Sequence, residues 1–146
     1  MAFYLMTFNP NIWGGTREDF LNGLQSFRNG EKLIVNWSIQ QFRDAGPDDY
    51  CFFLVQGTKN RGIFGRGKFV SEEFIDEKWD GSGKPEHYIQ VEILNYEDYE
   101  TPFISIDELY NIAPDYDWKP RNSGRMMDRQ IGLAINQIMR NLGLMK

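Results

Sequence analysis

With 146 residues, of which 41% are apolar, 25% charged and 15% aromatic, the chain has the size and composition of one globular domain spanning 1–146, and disordered, collagen-like and coiled-coil readings fail. One cysteine, Cys51, and one histidine, His87, allow no disulfide framework and no thiolate or imidazole zinc cluster, so a reducing cytoplasm is the expected compartment. No apolar run approaches the ~20 residues needed to span a bilayer, and the first residues lack the pattern of an export signal. The net charge of −5 conceals a segregation along the chain: residues 57–68 hold Lys59, Arg61, Arg66 and Lys68 with no acid, and residues 71–118 hold fourteen acids against two bases. Residues 119–146 then hold six bases against Asp128. Two basic segments therefore bracket an acidic one, and together they could neutralise a few phosphates.

In chain order, Ala2–Phe8 alternates as a strand and is broken by Asn9-Pro10-Asn11. Thr16 to Asp19 has capping-box spacing, and Phe20, Leu21, Leu24 and Phe27 recur at helical spacing until Asn29-Gly30. Leu33–Trp37 is short and β-branched, while Tyr50–Val55 is a nearly solid apolar run that predicts a strand buried on both faces. Gln56–Arg61 turns that run back into Gly62–Val70. Ser71–Glu86 is acidic and punctuated by Gly, Ser and Pro, and reads as a long loop carrying Trp79. Tyr88–Leu94 alternates as a half-buried strand, Ser105 to Glu108 again has capping-box spacing for a short helix ended by Pro114, and Ile131–Leu142 is the clearest helix, with Gly143 at its end. The expected class is α+β: a mixed β-barrel of about five to six strands, closed or half-closed, mostly antiparallel, with flanking helices.

Few chemistries suit these residues. A nucleophile-histidine pair would have to use His87, which has no Gly-x-Ser-x-Gly elbow to partner it, and Cys51 inside an apolar run reads as a small buried hydrophobe. The glycines of Gly62–Gly67 lack P-loop spacing and suit a bulge or a close approach. Asp48 with Asp76-Glu77-Lys78 loosely matches a divalent-metal nuclease pattern, but the second acid and the lysine fall in the expected loop, where such a site needs a strand. The four tryptophans say more. Trp13, Trp37, Trp79 and Trp118 each sit near a strand end or in a loop among polar or small neighbours. Taken singly each suits core or rim packing; taken with the basic segments they suit stacking on a planar base.

The ordered set Phe8–Trp13, Asn36-Trp-Ser38, Asp49–Gly57, Arg61–Ser71, Trp79, Tyr88–Ile93 and Trp118–Gly124 resembles the EVE domains of the PUA-like superfamily, relatives of the YTH readers, and most of all the version associated with HNH and other restriction endonucleases. The resemblance implies a non-enzymatic nucleic-acid-binding module, with no cofactor, metal or catalytic residue of its own, that holds a flipped, modified and typically methylated base in an aromatic cage. It implies a link to restriction or defence through a separate nuclease or other effector protein. By position, Trp37 and Trp118 would be pocket walls, Ser38 and Ser123 polar contacts beside Gly124, and Gly62-Ile63 the backbone edge facing the base, with Trp13 and Trp79 around the mouth. Where the family pattern has Gln two residues before Ser-Gly, this chain has Arg121, a cation that only donates, and it would grip either an acceptor-rich base edge or a phosphate. Lys59, Arg61, Arg66, Lys68 and Arg125 would hold a DNA or RNA backbone. Two other readings stay open: a protein-interaction module meeting a basic partner through the acidic 71–118 segment, and the divalent-metal nuclease.

Overall fold

The computed structural model describes residues 1–145. The elements are β1 (Phe3–Phe8), α1 (Arg17–Arg28), β2 (Ile34–Ser38), β3 (Tyr50–Val55), β4 (Gly62–Phe69), β5 (Phe74–Glu77), β6 (Pro85–Tyr96), β7 (Ile104–Ser105), α2 (Ile106–Ile112), β8 (Arg125–Met127) and α3 (Arg129–Asn141). Both capping boxes form: Thr16 accepts from the Asp19 amide at the start of α1, and Ser105 accepts from the Glu108 amide at the start of α2.

The strands make one mixed sheet in the order β2-β6-β4-β3-β1-β8, with β5 added beside β6 and β7 beside β4. The expected α+β class and mixed strand arrangement hold, with eight strands because β5, β7 and β8 are short additions at the edges. Two details differ from the expectation. Central strands β1 and β3 run parallel, Phe3 opposite Tyr50 through Phe8 opposite Val55, a pairing made possible because α1 and β2 form the long connection that parallel strands require. The acidic stretch read as loop contains β5, which pairs with the start of β6 to make a hairpin over 74–88.

The sheet does not close by a continuous ladder. Its two ends are instead drawn together beyond β2 and before β8, where Gln40 N–H donates to the Ser123 carbonyl and Gln41 N–H to that of Gly124, both at 2.9 Å. Gly124 has φ +79°, and a Cβ there would press into the Ile39 backbone, so only glycine allows this approach.

Alternation sorts β1 and β3 into two cores. Tyr4, Met6, Phe8, Cys51, Phe53 and Val55 point inside the curl of the sheet, with Phe20 and Leu24 of α1 closing that side. Phe3, Leu5, Phe52 and Leu54 point outward and are covered by α2 and α3 through Leu109, Ile135 and Met139. Burial on both faces explains why Tyr50–Val55 has no polar position. Each such side chain contributes about 1.5–3 kcal/mol of transfer free energy, which makes these two strands the rigid base from which the open end of the curl is built.

Candidate functional site

A cavity of about 770 Å³ opens at the end of the curl where β1 and β2 finish. Thr7, Phe8 and Asn9 come from the end of β1, Asn36–Ser38 from β2, Trp79 and Glu86–Tyr88 from the β5–β6 hairpin, and Lys119–Ser123 from the segment before β8. Six of the positions singled out in the sequence line it together: Trp13, Trp37, Ser38, Trp79, Arg121 and Ser123.

The walls are held from behind. The Trp37 indole N–H donates to the Thr7 carbonyl at 3.0 Å, and its ring meets Phe53 edge-on at 5.1 Å and Phe8 at 5.9 Å. Trp13 sets its ring against Phe8 at 5.2 Å, and it lies over Gly15, where a Cβ would sit 2.5 Å from the indole. Trp79 is 47% exposed and belongs to the rim. The Ser123 hydroxyl accepts from the Thr7 amide at 2.9 Å, which leaves its proton available to donate. Tyr88 donates its hydroxyl to the Glu77 carbonyl at 2.8 Å, and burial raises its pKa, so it stays a neutral phenol.

Several lining residues had no signal in the sequence. His87 stacks on Phe42 with ring centres 3.6 Å apart and planes 11° apart, and its Nδ1 lies 2.8 Å from Glu73. Residues 42, 73 and 87 share no local pattern, so only the return of the β5–β6 hairpin brings them together. Gln56, just past β3, donates to the Pro120 carbonyl at 3.1 Å and so holds the 119–123 wall. Among charged lining residues, Lys78, Lys119 and Arg121 outnumber Glu86, so the opening is locally basic although the chain is acidic.

Other expected site residues lie elsewhere. Trp118 does not line the cavity: it is fully buried in the outer core, donates its indole N–H to the Ala113 carbonyl at 3.0 Å and packs on Tyr116 at 4.6 Å. Its polar sequence neighbours suggested exposure, yet the chain turns inward there to cap the end of α2. Gly62 and Ile63 are not a free edge facing the cavity, because β7 pairs with them, Gly62 with Ser105 and Ile63 with Ile104. Gly124 is buried behind the wall against Ile39.

None of the four bases of the stretch 57–68 lines the opening. Lys59 is exposed on the turn before β4, and Arg61 donates to the Trp118 carbonyl. Arg66 lies over the Tyr50 ring at 5.0 Å, where burial lowers its pKa, and Lys68 pairs with Asp48 at 3.4 Å. Arg125, with Gln40, Gln41, Asp117, Lys119, Arg121 and Asn122, lines a second cavity of about 600 Å³. Four residues, Gln40, Lys119, Arg121 and Asn122, line both cavities, so the two adjoin.

The nuclease pattern gains no geometry. Asp76 and Glu77 do lie on a strand, β5, but both are exposed, Lys78 pairs with Asp80 at 3.6 Å, and among the described residues no group of three or more His, Cys, Asp or Glu is placed to hold a metal ion. No helix among the described residues is long and apolar enough to cross a membrane.

The chain thus folds as a partly closed mixed sheet with two cores and an aromatic-walled opening at one end. Solved structures share this fold over nearly the whole chain. A hypothetical protein from Leishmania major superposes with a TM-score of 0.68 at 13% identity, covering 98% of this chain and 97% of its own. The human THYN1 protein, solved in complex with DNA containing 5-methylcytosine, gives 0.64 at 17% identity, covering 94% and 97%. A Pseudomonas syringae protein gives 0.60 at 16% identity, covering 94% and 99%. No protein-family model matches the sequence, and no curated protein matches it.

Proposed function

We propose that this protein is a nucleic-acid-binding module that reads a modified base, with methylated cytosine in DNA the first candidate and the cavity between Trp13, Trp37 and Trp79 as its receptor. The observation that carries the reading is the convergence of three tryptophans, distant in sequence, on one opening of about 770 Å³. That size falls in the range of pockets that enclose a small ligand, so one flipped base fits with room for its sugar. The human THYN1 protein with the same fold was solved with DNA containing 5-methylcytosine, which supports the polymer and the modification named here.

The mechanism follows from the site. A nucleotide leaves the stack at a cost of a few kcal/mol and regains it by stacking on indole faces, each contributing ~1–3 kcal/mol. Trp37 is the fixed wall because Thr7 and Phe53 pin it, and Trp79 is the adjustable one because it stands free at the rim. Ser123 supplies a directional hydroxyl, and the amides of Asn36 and Gln56 lie within the same cavity. An added methyl gains ~1–3 kcal/mol in an apolar slot, so preference for the modified base is moderate, at about 10–200-fold. None of these roles needs a catalytic group, and recruitment of a separate effector protein, such as a nuclease in restriction or defence, is the natural use of a module of this kind.

The test is binding of the full chain to matched duplexes with and without one 5-methylcytosine, followed by fluorescence anisotropy. Trp79→Ala removes an exposed ring without touching the core, and the expected result is weaker binding of the methylated duplex with unchanged folding. Equal affinity of wild type for the two duplexes, and for the matching RNA strands with and without the methyl group, overturns the reading.

A further inference from the structure

The second cavity beside the base receptor holds an excess of positive charge. Lys119 and Arg121 are exposed, and among the described residues no carboxylate pairs with the Lys119 ammonium or the Arg121 guanidinium, the Asp117 carboxylate accepting instead from the Lys119 backbone N–H at 2.9 Å. Arg125 is held at 3.5 Å by Asp117, itself 59% exposed. The segment carrying these cations is anchored along its length: Gln56 holds the Pro120 carbonyl, Thr7 holds the Ser123 hydroxyl, and Gln40 and Gln41 hold the backbone of Ser123 and Gly124. Cations on a fixed segment lose little order on meeting an anion, unlike cations on a free loop. The shared lining places Arg121 and Lys119 at the junction of the two cavities, in the same lining as the three tryptophans.

We propose that the groove lined by Lys119, Arg121 and Arg125 is the track for the phosphodiester backbone flanking the extruded nucleotide, and that the basic stretch 57–68 takes no part in holding the strand. This rests on the base reading proposed above for the identity of what enters the neighbouring cavity. Arg121 then grips a phosphate rather than a base edge, its five donors matching phosphate oxygens. Asp117 is the built-in brake: its carboxylate occupies Arg125 and adds a negative charge where phosphates would lie. Gln40, Gln41 and Asn122 complete the groove with neutral amides that can donate to phosphate oxygens.

The experiment measures the salt dependence of affinity for duplex DNA, with and without a single 5-methylcytosine, from about 50 to about 200 mM salt. Removing one cation that neutralises a phosphate flattens the slope of log K against log salt by about 0.9, so over that range wild type loses about 3.5-fold more affinity than the variant. Lys119→Ala and Arg121→Ala are expected to flatten the slope equally on both duplexes and to leave the methylated-to-unmethylated ratio unchanged. Lys59→Ala and Lys68→Ala are expected to match wild type, and Asp117→Asn to bind both duplexes more tightly. All five positions are solvent-accessible, and far-UV circular dichroism confirms that the variants are folded. A slope flattened by Lys59→Ala or Lys68→Ala but not by Arg121→Ala overturns the proposal. So does loss of methyl preference in Arg121→Ala at unchanged slope, which would make Arg121 a base contact. Equal wild-type affinity for the two duplexes with the expected slope changes would sink the base reading and leave the track standing; absence of salt-dependent binding to DNA or RNA would sink both.

Discussion

Replacing Trp118 separates its burial from any place in the receptor. Its indole is fully buried in the outer core, donates to the Ala113 carbonyl at the end of α2 and packs on Tyr116. Truncating a buried Trp to Ala costs about 3–5 kcal/mol through lost transfer energy and the cavity left behind, and loss of the indole hydrogen bond adds about 1 kcal/mol, the Ala113 carbonyl keeping the Tyr116 amide at 3.2 Å. Against a total stability of about 5–15 kcal/mol this is a large fraction. With a urea m-value of about 1–3 kcal/mol/M, Trp118→Ala is expected to lower the unfolding midpoint by about 1 M or more. Trp118→Phe, which keeps most of the apolar volume, is expected to lose less than half as much. Urea denaturation followed by circular dichroism measures both. Under conditions where Trp118→Phe is fully folded, its affinity for methylated duplex should equal that of wild type. A Trp118→Ala protein with the wild-type midpoint and abolished DNA binding would refute the reasoning and return the indole to the receptor.

Three further outcomes follow from other parts of the molecule. Burial raises the Cys51 thiol pKa far above its ordinary value, so iodoacetamide at pH 8 should leave the folded chain unlabelled and modify Cys51 only after denaturant is added, as read by mass spectrometry; rapid native labelling would contradict the packing of β3. Arg17 grips Asp98 through two bonds of 2.8 and 2.5 Å and holds its carboxyl below the ordinary range. The resulting stability is present above the unfolded carboxyl pKa of about 3.9 and is lost as pH falls through the folded value; Asp98→Asn should therefore weaken the protein at pH 7 and flatten its acid limb in denaturation curves taken from pH 7 to pH 2. At Gly62 a Cβ would run into the Ile104 carbonyl oxygen, so Gly62→Ala should destabilise by about 1–3 kcal/mol through the β4–β7 pairing, with base selectivity unaltered in the folded fraction.

Which features were legible in the sequence depended on how local their cause was. The strand at Tyr50–Val55 and both capping boxes arise from contiguous residues, and they appear where the pattern placed them. Strand β5 was hidden because it lies at an edge: Ile75, Asp76 and Glu77 are all exposed, leaving no alternation to read, and it is tied down by Phe74 stacked on Tyr88 at 6.0 Å. The parallel pairing of β1 with β3 left no local trace either, since long connections carry no turn signature. In the candidate site, Trp13, Trp37, Trp79 and Ser123 converge as the motifs suggested. Trp118 did not, because neighbours such as Lys119 and Asn122 report only their own solvation and not which way one indole between them turns. The basic stretch 57–68 illustrates the same limit, its side chains being spread over Asp48, Tyr50 and the Trp118 carbonyl.

The bonds from Gln40 and Gln41 to Ser123 and Gly124 also make receptor assembly a late event. Its walls come from the first thirteen residues, the second strand, the β5–β6 hairpin and a stretch more than a hundred residues downstream. During synthesis the tryptophans near the amino end must wait for that last stretch to emerge from the ribosome. A nascent or truncated chain ending before residue 119 would already contain most of the inner core while lacking the 119–123 wall that completes the cavity.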